Sequence, residues 1–198
     1  MSRLLDVGER IFIAMVFARF AVIMLSSSEH DPRNLLFLAV SGLVAAMVLF
    51  RPRNDAISLK SADWLLALAG GFLSFLYRPE PGLIGPDWLA TVLLWAGMLI
   101  ACASKLSLNR RFGFVPGNRG VQSNWAYSLV RHPMYLGYAV ADVGFLMINP
   151  SVWNLALFVT VIPLQLARIW REEAFLSQDA AYIDYKARVR YRLVPGLY

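Results

Sequence analysis

Six stretches of the chain are nearly unbroken runs of apolar residues, at 10–28, 33–50, 61–78, 87–107, 134–149 and 151–171, separated by short polar or basic connections. All but 134–149 come close to the roughly 20 residues a helix needs to cross a hydrocarbon core. The pattern predicts an all-α, polytopic integral membrane protein with about six transmembrane helices, folded as one membrane domain over 1–198. Asp31-Pro32, Arg51-Pro52-Arg53-Asn54-Asp55 and Pro79-Glu80-Pro81-Gly82 supply the turn-forming breaks. Between the fifth and sixth spans stands only Asn149-Pro150-Ser151. So short a link predicts a tight helical hairpin that returns the chain to the membrane face it left. Pro163 predicts a kink in the sixth span, and Gly42, Ala45, Ala46, Gly70 and Gly71 are small enough for close helix packing in lipid.

Composition agrees with this reading: 58% of residues are hydrophobic and 16% charged. The net charge of +6 would suit a nucleic-acid binder, but the placement of Lys and Arg is a topology signal. With Arg19 set aside inside the first span, alternate connecting segments hold sixteen basic residues against two. That asymmetry puts both termini and the longest loop in the cytoplasm, in a bacterial-type inner membrane, with no nucleic-acid partner. The first span follows only nine residues, two of them acidic, and reads as a retained helix. Cys102 is the single cysteine and His30 and His132 the only histidines, so neither an intramolecular disulfide nor a Cys- or His-rich metal site is expected.

Two segments depart from the spans. The stretch 108–133 contains Asn109-Arg110-Arg111-Phe112-Gly113-Phe114-Val115-Pro116-Gly117-Asn118-Arg119-Gly120, which is basic, aromatic and glycine-rich. It suits either an anchor on anionic lipid heads or a loop that seats a nucleotide-like cofactor. From Ala180 to Tyr198, Tyr182, Tyr185, Val189 and Leu193 recur at helical spacing among Lys186, Arg188, Arg190 and Arg192. This cytoplasmic amphipathic segment lies at the membrane interface, as a lipid anchor or as a wall of the site.

The polar residues near the fifth and sixth spans carry the chemistry. Arg131-His132-Pro133 places a cation and an imidazole before a proline suited to a first helical turn, where backbone N–H groups stay unpaired and can receive an anion or a cofactor. Tyr135, Tyr138 and Asp142 share one helix face, and Gly137 permits close approach to the backbone. Gln165, Arg168 and Glu172 share a face of the sixth span, with Arg168 and Glu172 spaced to pair. A carboxylate and a guanidinium there complement a cofactor bearing an amine and a carboxylate. Arg19 and Asp142 are the charges set deepest in apolar sequence, and either pair with each other or line a polar substrate cavity.

These motifs resemble the isoprenylcysteine carboxyl methyltransferase family, within the superfamily that includes phospholipid methyltransferases. Its R-H-P-x-Y-x-G stands as Arg131-His132-Pro133-Met134-Tyr135-Leu136-Gly137, its R-x-x-x-E-E as Arg168 to Glu173, and its tyrosine-rich tail as Tyr182, Tyr185, Val189 and a shifted Pro195. Its L-V-T-x-G-x-Y is altered to Val121-Gln122-Ser123-Asn124-Trp125-Ala126-Tyr127, with Trp125 at the glycine. The resemblance covers about 105–198 and leaves 1–104 as transmembrane scaffold. It implies an S-adenosylmethionine-dependent enzyme acting on a lipid-like or prenylated acceptor that enters from the bilayer, with membrane lipids as further partners. Gln122, Tyr127, Arg131, His132, Pro133, Met134, Tyr135, Gly137, Glu172 and Glu173 would line the cofactor, and Arg168 and His132 would be catalytic. Two other readings stand beside it. Tyr191 to Tyr198 also resembles the tail of NADPH-dependent membrane sterol reductases, and the altered loop before Tyr127 suits a non-catalytic protein that keeps the fold.

Overall fold

The computed structural model describes residues 2–27, 31–49, 61–108 and 120–198. These residues are helical and contain no strand: α1 Ser2–Ser26, α2 Arg33–Leu49, α3 Ser61–Phe72 continued by a 3-10 turn Leu73–Leu76, α4 Asp87–Leu108, α5 Pro133–Ile148, α6 Val152–Leu176 and α7 Ala180–Arg188. Each of the six apolar runs becomes one of α1 to α6. Two of them, α4 and α6, are long and apolar enough to cross a membrane by length and composition; Arg33–Leu43, Ser61–Leu76 and Pro133–Ile148 are shorter apolar helices. The expected break at Arg51–Asp55 and the basic loop Asn109–Arg119 lie outside the described residues.

Large apolar side chains point outward along these helices, including Val22, Trp95, Leu99, Val152 and Val159. The interior is aromatic: Phe20, Phe37, Phe75, Tyr77 and Phe145 are buried against one another, with Phe37 and Phe145 4.7 Å apart between ring centroids. Apolar surface left outside in such quantity is what a lipid-facing bundle carries.

The most extensive helix interface is between α4 and α5, followed by α1 with α2 and α3 with α6. Glycines set the first. A Cβ built on Gly97 would collide with the backbone of Ala141 and come 2.6 Å from the carbonyl of Gly137; one on Gly137 would come 2.6 Å from the Ala101 amide; and one on Gly144 would strike Leu94. The helices therefore touch backbone to backbone, as small residues allow in lipid. This corrects two expectations. Helices α5 and α6 are joined by a short turn, but α5 lies mainly on α4 and not on α6. Gly137 serves that contact, so its open face meets α4 and not a cofactor. Gly70 likewise makes room for a side chain and not for a helix, since its Cβ would fall 2.7 Å from Cδ of Arg168.

Asparagines tie the α5–α6 turn. Asn149 donates to Asn34 and to the Phe145 carbonyl, and Asn154 donates to the carbonyls of Asn149 and Arg78. Ser151 caps α6 by accepting from the Asn154 amide at 3.1 Å, a bond that satisfies one of the four orphan donors at a helix start. With its far end fixed, the pair delivers the start of α5 and the end of α6 to the same place.

The expected pair of Arg19 and Asp142 does not form. Arg19 is exposed on α1, whereas Asp142 is buried and borders a cavity. A charge on the outer face of α1 can reach the interface along its own stem, which removes the need for a partner in the core.

Candidate functional site

The site is built where α5 begins and α6 ends. Pro133 occupies the first turn of α5, and His132 before it has non-helical backbone. The amides of Arg131 and His132 do not remain open: they donate to the carbonyls of Tyr191 and Arg192 at 2.9 and 2.8 Å. The C-terminal segment thus lies against the start of α5 as a wall of the site. Tyr185 strengthens this by donating its hydroxyl to the Tyr127 carbonyl at 2.7 Å.

Glu173 is the hub. Its carboxylate, 3% exposed, accepts from Arg131 Nε at 2.7 Å, His132 Nε2 at 3.2 Å and Arg192 Nε at 2.9 Å. Arg131 also donates to the carbonyls of Val189 and Arg190. One carboxylate therefore joins the start of α5, α6 and the tail, and most of its acceptor capacity is taken up by the protein itself. Arg131, His132 and Glu173 are brought together as expected, but their side chains spend their hydrogen bonds on one another.

Glu172, one residue earlier, faces differently. It is half-buried and accepts from the Tyr135 hydroxyl at 3.1 Å, leaving further acceptor capacity. The Tyr135 ring lies edge-on to His132 at 5.7 Å and to Tyr138 at 6.4 Å, and the Arg168 guanidinium sits 5.4 Å from its centre. Arg168 donates to Gln165, which in turn donates to the Gly70 carbonyl. A small pocket of about 220 Å³ is lined by Tyr135, Arg168, Arg171, Glu172 and Asp63. Arg168 and Met134 also line a larger cavity of about 650 Å³, counted to its mouth, between α2, α3, α4, α5 and α6. The Arg168 side chain thus stands between two spaces, one at the end of α6 and one inside the bundle.

Lys105, which the sequence marks only as a topology charge, is a further residue of this region. It is 0% exposed, and among the described residues its Nζ has no hydrogen-bond partner. The amine lies 4.6 Å from the centre of the Tyr138 ring, a cation–π contact. Since Gly137 faces Ala101 across the α4–α5 contact, Lys105, one turn beyond Ala101, is level with Pro133. The small residues of α4 and α5 are the signal that could have placed it there.

Tyr127 is buried in the 3-10 turn Trp125–Ser128, and burial, with Glu172 nearby, raises its phenol well above the usual value. Gln122 is half-buried in the segment leading to that turn. Trp125 has φ of 55° and is 79% exposed. A left-handed backbone favours glycine, and another residue there costs about 1–2 kcal/mol.

These features define a helical bundle with a pocket of mixed charge beside Tyr135 at one end and a cavity walled mostly by apolar side chains beneath it. A family model described as phospholipid methyltransferase matches residues 87–180, which span α4, α5 and α6. Over α4 to α6 the chain is therefore similar to phospholipid methyltransferases. It is 27% identical over 172 residues to Protein-S-isoprenylcysteine O-methyltransferase A of Arabidopsis thaliana, covering 79% of this chain and 87% of that protein. A match of that extent cannot be contained in 105–198, so the similarity reaches into the helices read from sequence as scaffold alone. Both matches are to methyltransferases and neither to a reductase.

Proposed function

We propose that the protein is an integral membrane methyltransferase of six spans, with its site on the cytoplasmic side, that uses S-adenosylmethionine to methylate a lipid-like acceptor. The acceptor is most like a prenylated cysteine carboxylate, after the name of the Arabidopsis relative. The observation that carries the reading is the half-buried carboxylate of Glu172 beside Tyr135 at the end of a membrane-type helix, with the buried amine of Lys105 close by.

The donor set fits this cofactor. Glu172 can accept from an ammonium or from ribose hydroxyls, and charge-assisted bonds of this kind are the strong ones. Lys105 offers a buried cation to a carboxylate. The faces of Tyr135 and Tyr138 suit a sulfonium and a purine ring. When bound, the cofactor supplies a methyl group that passes in line to the acceptor's nucleophile, the C–S bond breaking with its electron pair left on sulfur.

Arg168, reaching from the pocket to the cavity, orients a carboxylate acceptor by hydrogen bonding. A carboxylate is already a competent nucleophile, so positioning and exclusion of water are what the protein contributes. His132 is held by Glu173 through Nε2 and acts here as a positioning residue. The wall made by the tail keeps water from the start of α5.

The test compares S-adenosylhomocysteine with 5′-methylthioadenosine, which lacks the amino acid carboxylate and amine. In wild type the first binds tighter by calorimetry. In Lys105→Met that advantage falls roughly tenfold or more, as loss of a charged hydrogen bond of about 1.5–3 kcal/mol requires, while methylthioadenosine binding is unchanged. Equal losses for both ligands would contradict the assignment of Lys105, and binding of NADPH in place of either would contradict the methyltransferase reading.

A further inference from the structure

The larger cavity has an apolar wall of Phe37, Phe75, Met98 and Met134, and three polar side chains break it: Ser41 from α2, Ser74 from the turn after α3, and Asp142 from α5. Asp142 is only 3% exposed. Of the other polar liners, Gln165 is engaged with Gly70 and Arg168 with Gln165, and Tyr138 carries Lys105 over its ring. Ser41, Ser74 and Asp142 make no side-chain hydrogen bond and no ion pair among the described residues, and Arg19, the cation expected for Asp142, is exposed on α1.

Three elements therefore each bring an unengaged polar group to one largely apolar space. A buried polar group without a partner costs about 1–3 kcal/mol. A plain hydrocarbon chain filling the cavity would leave all three in that condition. Asp142 is seven residues along α5 from Tyr135, about 10 Å at 1.5 Å per residue, so this polar patch lies well beneath the pocket where methyl transfer is placed.

We propose that the cavity takes an acceptor whose apolar body carries a hydrogen-bonding group, a hydroxyl or an amine, seated against Asp142, Ser41 and Ser74. The inference rests on the methyltransferase reading and narrows its substrate class: the reacting end lies near Arg168 and Tyr135, and the polar group lies about 10 Å farther along the chain. Asp142 is a specificity-determining residue in this arrangement, because it distinguishes a functionalised lipid from a simple prenyl chain. Either protonation state serves, since a carboxylate accepts from a hydroxyl and a carboxylic acid donates to it.

The experiment uses the full chain in detergent and two probes, S-farnesylcysteine and the same molecule with a mid-chain hydroxyl. Thermal-shift titrations read the affinity of each, with S-adenosylhomocysteine titrated in parallel. Wild type binds the hydroxylated probe roughly tenfold tighter, the scale of one good hydrogen bond. Asp142→Leu loses or inverts that preference. Should this variant fail to fold, the pair Ser41→Ala and Ser74→Ala narrows the preference without touching the carboxyl. Equal binding of the two probes by wild type, or an unchanged preference in the variants, overturns the proposal. A preference that persists while S-adenosylhomocysteine gives no shift would strike the methyltransferase reading and leave the polar seat in place.

Discussion

Adjacent glutamates do different work here. Glu173 is enclosed by Arg131, His132 and Arg192, so Glu173→Ala leaves a buried guanidinium without its partner. Breaking a buried pair in this way costs about 3–5 kcal/mol, and the variant is expected to melt far below wild type in detergent. Glu172, half-buried and, among the described residues, accepting from Tyr135 alone, tolerates replacement structurally. The sequence motif presents the two as one pair. Their separation depends on a 100° turn of the helix per residue, which aims one at the tail and the other at the pocket, and the tail could not be placed from sequence. Lys105 was hidden for a similar reason: a basic residue near a span end is ordinarily a topology marker, and only the register against α5 brings it to the site.

At the level of helices, glycine spacing decides the geometry. Gly97→Val places atoms against the backbone of Ala141 and the Gly137 carbonyl and is expected to lose about 1–3 kcal/mol or more through overpacking. Gly8, where an added Cβ would meet nothing within 4 Å, can become Ala with little change in the same melt. The tail makes a pH-dependent contribution. Burial raises the phenols of Tyr182 and Tyr185, so the folded chain keeps these protons while the unfolded chain releases them near pH 10. Their stabilisation is complete below that pH and declines as pH rises toward the folded value. At pH 8 wild type is expected to melt above Tyr185→Phe, by about 1 kcal/mol for the bond to the Tyr127 carbonyl. Above roughly pH 10 that gap closes and inverts, and a constant gap in melts across this range would contradict it. The apolar runs made α1 to α6 legible, although α1 begins at Ser2 and α6 continues to Leu176, where polar residues extend the helices past the apolar stretch. They said nothing of which helix lies on which, because hydropathy marks the faces that leave water and not the partners they meet.

For the whole molecule, the two ends of the bundle have separate tasks. Asparagines lock one end, and the other end opens a pocket of mixed charge beside Tyr135 over a cavity bordered by apolar side chains. The helical bundle was legible from its apolar runs, and the meeting of the start of α5 with the end of α6 from the short turn between them. The acceptor cavity was not, because its lining comes from α2, α3, α4, α5 and α6, too scattered along the chain to form a motif. The central claim is that Glu172 holds the methyl donor. Calorimetric titration of S-adenosylhomocysteine into wild type and Glu172→Gln tests it most directly. Wild type is expected to bind, and the variant, with an unchanged melting temperature, to lose roughly tenfold to hundredfold in affinity, the value of a charged hydrogen bond. Equal affinity in the two proteins would contradict it.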